Sequence, residues 1–152
     1  MNSLTSADSI NPDAPPPGRA QPILIDTHVH IYNCFDIDTF LDSAWQNFRR
    51  QAAAQFTGVL LLTESGDYHR FQTLLSQAGE RSLQSNGWTF YPTAEAFSLR
   101  ASDAQSRTLY LVAGRQIVTA EKLEVLALIS DRTFPDGLSA TDTIKAIQTA
   151  GG

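Results

Sequence analysis

Cysteine, histidine and long apolar runs are all scarce in this 152-residue chain. The single cysteine, Cys34, excludes an internal disulfide and fits a reducing compartment, where it reads as a semi-buried free thiol. No run approaches the roughly 18 apolar residues that a membrane helix needs. The N-terminus lacks the basic-then-apolar order of a signal peptide, so the sequence predicts a cytoplasmic protein without a membrane partner. Basic residues are also few: 11 Lys and Arg stand against 16 Asp and Glu, for a net charge of -5. With no basic field and no charged block, electrostatic binding to nucleic acid is not expected.

What is present fits one ordinary domain. The hydrophobic content is 42%, enough for one core at this length. Residues 1–21 are rich in Ser, Asn, Asp, Pro and Ala, and read as a flexible leader with too little apolar surface to offset ordering. Residues 22–152 read as the α/β domain. Ile23-Leu24-Ile25 predicts a buried strand running into Asp26-Thr27-His28-Val29-His30. Strand side chains alternate faces, so Leu24, Asp26, His28 and His30 share one face, with the imidazoles about 7 Å apart along the strand and able to converge on one cation. A carboxylate at Asp26 would then orient a ring or add a ligand.

Asp36 caps a helix whose apolar positions Ile37, Phe40, Leu41, Ala44, Trp45 and Phe48 form one stripe. Gly58-Val59-Leu60-Leu61-Leu62 reads as a parallel strand covered by helices on both faces. A second helix is expected from Asp67, burying Phe71, Leu74 and Leu75 and stopping at Gly79, followed by a loop over 80–87. The βαβ grammar predicts parallel neighbours near 23–27, 58–63 and 109–113. From Trp88 the grammar changes: strands at 88–91, 94–99, 108–113, 115–119 and 123–129 lie too close together for helices between them, which implies an antiparallel excursion appended to the core. After a loop at 131–137, Ser139 and Asp142 make a capping box for a last helix.

The segment Ile25-Asp26-Thr27-His28-Val29-His30 resembles the opening motif of the polymerase and histidinol phosphatase (PHP) domain, and more loosely that of the amidohydrolase superfamily. The resemblance implies a partial PHP-like distorted (β/α)7 TIM barrel, of which this chain carries the first strands and helices plus the hairpin excursion, stopping before the next strand. It also implies a metal site. Leu62-Thr63-Glu64-Ser65 and Gly114-Arg115-Gln116 stand where the family places its second and third ligand motifs. Ser65 occupies the position of a histidine, and Gln116 that of a bridging glutamate.

The implied site holds a divalent metal, zinc or manganese, on His28, His30 and Glu64, with His69 on the following helix as a further nitrogen. Glu64 reads equally as a helix-initiating acid, and His69 as a solvent-exposed helix residue. Arg115 would face a small, phosphorylated substrate, or stand on the surface of a hairpin. Glu121 and Glu124 read as a solvated charge cluster around Lys122. Three functions follow: a metal-dependent phosphoesterase of PHP type, a PHP-like module that binds without catalysis, or an amidohydrolase.

Overall fold

A computed structural model describes residues 21–52, 55–78 and 87–151. The leader, apart from its last residue, the Gly79 helix stop and nearly all of the 80–87 loop lie outside the described residues. The fold is mixed α/β. Strand β1 (Ile23–Val29) leads to helix α1 (Ile37–Gln51), then β2 (Thr57–Leu62), α2 (Arg70–Ser76), β3 (Thr89–Pro92), β4 (Ser98–Ser102), β5 (Thr108–Val112), β6 (Gly114–Val118), β7 (Glu124–Leu128) and α3 (Ala140–Thr149).

Five strands form one sheet in the order β1-β2-β5-β4-β3, with β1, β2 and β5 parallel and β3, β4 and β5 antiparallel. The parallel trio matches the sequence expectation. The antiparallel strands are not an appendage, however, because β4 pairs directly with β5 from Ser98 to Ser102 and so extends the main sheet. The fourth strand also starts four residues later than its apolar run suggests, after a turn at 94–97. Pro92 ends edge strand β3, where a missing N–H costs no ladder bond. The described sheet is open and does not close into a barrel.

Helix coverage is one-sided. Leu60 and Leu62 of β2, Leu109 and Leu111 of β5, and Leu99 and Ala101 of β4 are buried in one cluster with Leu41 of α1 and Phe71 and Leu74 of α2. Val59, Leu61, Tyr110 and Val112 alternate to the other face and are only half buried. The apolar run of β2 is thus covered on one face among the described residues, not on both. Helix α1 keeps the predicted stripe packed on the core, and Asp36 Oδ1 accepts the Thr39 N–H at 2.8 Å as its cap.

Ala113 is a corner. Before it, β5 lies between β2 and β4. After it, β6 turns away from β4, takes β7 as its antiparallel partner, and still touches the continuation of β2 through a parallel bridge between Glu64 and Arg115. Helix α3 packs Ile147 against Ile117 and Ala127 of this hairpin, forming a second, smaller core. Ser139 caps α3 as predicted, its Oγ accepting the Asp142 N–H at 3.1 Å, but the hydroxyl itself, and not the Ser139 N–H, donates to the Asp142 carboxylate at 2.8 Å.

Candidate metal centre

The register of β1 breaks once, and the break sets the site. Asp26 pairs with Leu60, but Val29 rather than His28 pairs with Leu62, so one extra residue is accommodated between them. The side-chain parity flips there. Ile23 and Ile25 are 64% and 54% exposed, whereas Val29 and Ile31 are 5% and 4% exposed and belong to the core. His28 and His30 therefore face away from the helices, on the same side as Leu61, while Asp26 remains on the helix side in a groove with Phe40, Ser43 and Asn47. The predicted sharing of one face by Asp26 and the imidazoles is corrected by this bulge. The Asp26 carboxylate accepts the backbone N–H of His28 at 3.2 Å.

The two imidazoles converge. His28 Nε2 lies 3.1 Å from His30 Nε2 and 3.0 Å from Gln116 Oε1. Each of these atoms carries a lone pair in at least one protonation state, and which imidazole donates an Nε2–H among them depends on the tautomer. Two ligands each about 2.0–2.1 Å from one zinc ion lie roughly 3.0–3.4 Å apart when the angle between them is about 95–110°, so the observed spacing fits a shared cation. Partial burial, and next the neighbouring His28, hold the His30 pKa below 6.5, with Gln116 and Glu124 opposing. Burial and His28 both favour the neutral imidazole, whose unprotonated nitrogen carries a lone pair.

Glu64 goes elsewhere. Its Oε1 accepts the Phe71 N–H at 2.6 Å and its Oε2 pairs with Arg115 Nη1 at 3.2 Å. The first contact caps α2 from seven residues upstream, which explains why the helix starts at Arg70 and not at Asp67, and why His69 at the N-cap makes no side-chain cap bond. Burial pushes the Glu64 pKa up, against the Phe71 N–H and Arg115. Arg115 is 2% exposed, and its guanidinium also donates to the carbonyls of Gly66 and Tyr68. That set of partners ties β6 to the loop before α2 and gives Arg115 a structural role in place of a substrate contact.

Among the described residues no three His, Cys, Asp or Glu side chains come together as a metal group. The third donor beside the imidazoles is an amide. Ser65 lines a small cleft with His30, Ile31, Tyr32, Glu64 and Tyr68, while His69 is exposed at the α2 N-terminus. Cys34 is exposed and not semi-buried. Glu124, read from sequence as part of a solvated cluster, acts electrostatically on His30. Hairpin register was the missing signal: Glu124 pairs with Val118, which puts it on the Gln116 face of the hairpin.

Gly114 lets β6 approach. A Cβ there would lie 2.3 Å from the Leu62 carbonyl oxygen and 3.1 Å from that of Ala127, both backbone atoms that cannot swing aside. Gly114→Ala is expected to cost about 1–3 kcal/mol in denaturant unfolding and to draw Gln116 away from His28. A loss under about 0.5 kcal/mol would mean that β6 has room to shift. Comparison of the chain with protein-family models, with curated proteins and with solved structures finds no match.

Proposed function

We propose that His28, His30 and Gln116 hold one divalent cation, zinc or manganese, in a hydrolase of PHP type acting on a small phosphorylated substrate. The observation that carries this reading is that His28 Nε2 lies 3.1 Å from His30 Nε2 and 3.0 Å from Gln116 Oε1. They meet where β1 ends beside β2 and β6, on the face of the sheet that no described helix covers. In the same reading the parallel trio is the start of a PHP-like barrel with that face turned inward. A divalent cation held by His28, His30 and Gln116 would lower the pKa of bound water and polarise a phosphoryl oxygen.

The chain's own groups do the rest. The bulge in β1 aims both imidazoles to one side, the Glu64–Arg115 pair fixes β6, and Gly114 brings Gln116 within reach. Glu124 lies on the Gln116 face of the hairpin and acts electrostatically on His30. The neutral third donor favours a second reading, in which the site binds a cation without catalysis, because Glu64 is committed to Arg115 and the α2 cap.

Metal per chain, measured on full-length protein purified without chelator, together with turnover of a phosphomonoester panel, separates these readings. Gln116→Glu is expected to raise zinc or manganese affinity by about tenfold or more, since a carboxylate of nearly the same shape replaces a neutral amide beside a cation. Equal affinity in the two proteins would remove Gln116 from the ligand set and end the proposal.

A further inference from the structure

Beside the donor trio stands a run of aromatic rings that the core does not use. The ring of Tyr32 lies parallel to that of His30, with centroids 5.7 Å apart and 7° between planes. Tyr32 meets Tyr68 edge-on at 5.4 Å and Phe35 edge-on at 5.6 Å. Tyr32, Phe35 and Tyr68 are 39%, 41% and 39% exposed. Isolated exposed apolar residues are ordinary, but here Tyr32 and Tyr68 line one cleft and Phe35, stacked at 6.2 Å on Phe40, continues the run beyond it. The cleft between His30, Tyr32, Glu64, Ser65 and Tyr68 is lined by no lysine or arginine, and Arg115 behind it is occupied. With no lysine or arginine in the cleft lining, the cation of the proposed site is what a phosphoryl group would pair with, and the organic part of the substrate must find its affinity in uncharged contacts.

We infer that Tyr32, Phe35 and Tyr68 form a stacking wall for a planar aromatic group of the substrate, whose phosphoryl end lies at His28, His30 and Gln116. The substrate class is thus an aryl or heteroaryl phosphate and not an alkyl one. This inference rests on the cation-site reading above. Aromatic faces and edges favour flat partners in offset or edge-on geometry, and the tyrosine hydroxyls keep the wall wetted while it is empty.

Phenylphosphonate and methylphosphonate, which carry the same oxyanion on a bond that is not hydrolysed, test it by calorimetry on the zinc-loaded full chain. Wild type is expected to bind the phenyl compound about tenfold more tightly, equivalent to about 1.4 kcal/mol. Tyr68→Ala and Phe35→Ala should reduce that ratio to about threefold or less with zinc per chain unchanged. Tyr68→Leu, which keeps apolar bulk, should do the same if the alanine variant fails to fold. Equal affinity of wild type for the two phosphonates, or an undiminished ratio in the folded variants, overturns the wall. Wild type that binds zinc but shows no phenyl preference removes this inference alone, whereas wild type that binds no zinc removes the cation site and the wall with it.

Discussion

Alanine at His28 or at His30 is expected to lower the zinc or manganese bound per chain at least tenfold. In the proposed site each imidazole is one of three ligands grouped around His28 Nε2, which lies 3.1 Å from His30 Nε2 and 3.0 Å from Gln116 Oε1, and neither lost nitrogen has a replacement: Glu64 is held by Arg115 and the Phe71 N–H, and His69 stands exposed at the start of α2. A ligand that binds only the folded state stabilises it by about 2.7 kcal/mol at a hundred times its Kd. Wild type should accordingly melt at a higher temperature with added zinc, and either alanine variant should lose most of that increment. His69→Ala is the internal control, expected to keep both the metal and the increment. Metal content equal to wild type in both His28→Ala and His30→Ala would sink the cation site, whatever the melting curves showed.

The parts of the fold that depend on short-range pattern were legible. The α1 stripe, the Asp36 and Ser139 caps and the parallel order of β1, β2 and β5 all follow from periodicity, capping chemistry and βα spacing. The bulge was not. Ile23, Ile25, Val29 and Ile31 read as one alternating apolar face, yet the first two are exposed and the last two buried. Alternation is preserved on either side of the extra residue, so the sequence contains no mark of the parity flip. What reveals it is the pairing of Val29 with Leu62, a tertiary register.

The same limit governs the site. Two histidines two apart predicted a shared face, and that survived the bulge because both lie beyond most of it. The fate of Glu64 turned on a bridge to Arg115, fifty-one positions away, which composition and spacing do not encode. Glu124 was hidden for a related reason: only the β6–β7 register brings it to the side of Gln116. Gln116 itself was named from its place in a motif, and its geometry agrees with a position facing the imidazoles.

Arg115→Met is expected to cost about 3–5 kcal/mol at pH 8, since it leaves the Glu64 carboxylate buried without its counter-charge and strips the Gly66 and Tyr68 carbonyls of a donor. The loss should shrink on acidification. Burial already pushes the Glu64 pKa above 4.5, and removing Arg115 takes away one of the attractions that oppose the rise. Between 4.5 and the raised folded value the native state binds more protons than the unfolded state, so stability falls as pH rises through that window. In the variant the window extends to higher pH, and the deficit against wild type is therefore larger at pH 8 than at pH 5. Urea unfolding of both proteins at the two pH values measures it. The result also decides what Arg115 does. A guanidinium used for substrate would leave stability unchanged on replacement, and a deficit under about 1 kcal/mol at pH 8 would return it to that role. A pH-dependent deficit places it with Glu64 as the tie that holds β6, and with it Gln116, against the end of β2. Metal affinity should then fall in Arg115→Met although Arg115 touches neither imidazole nor cation.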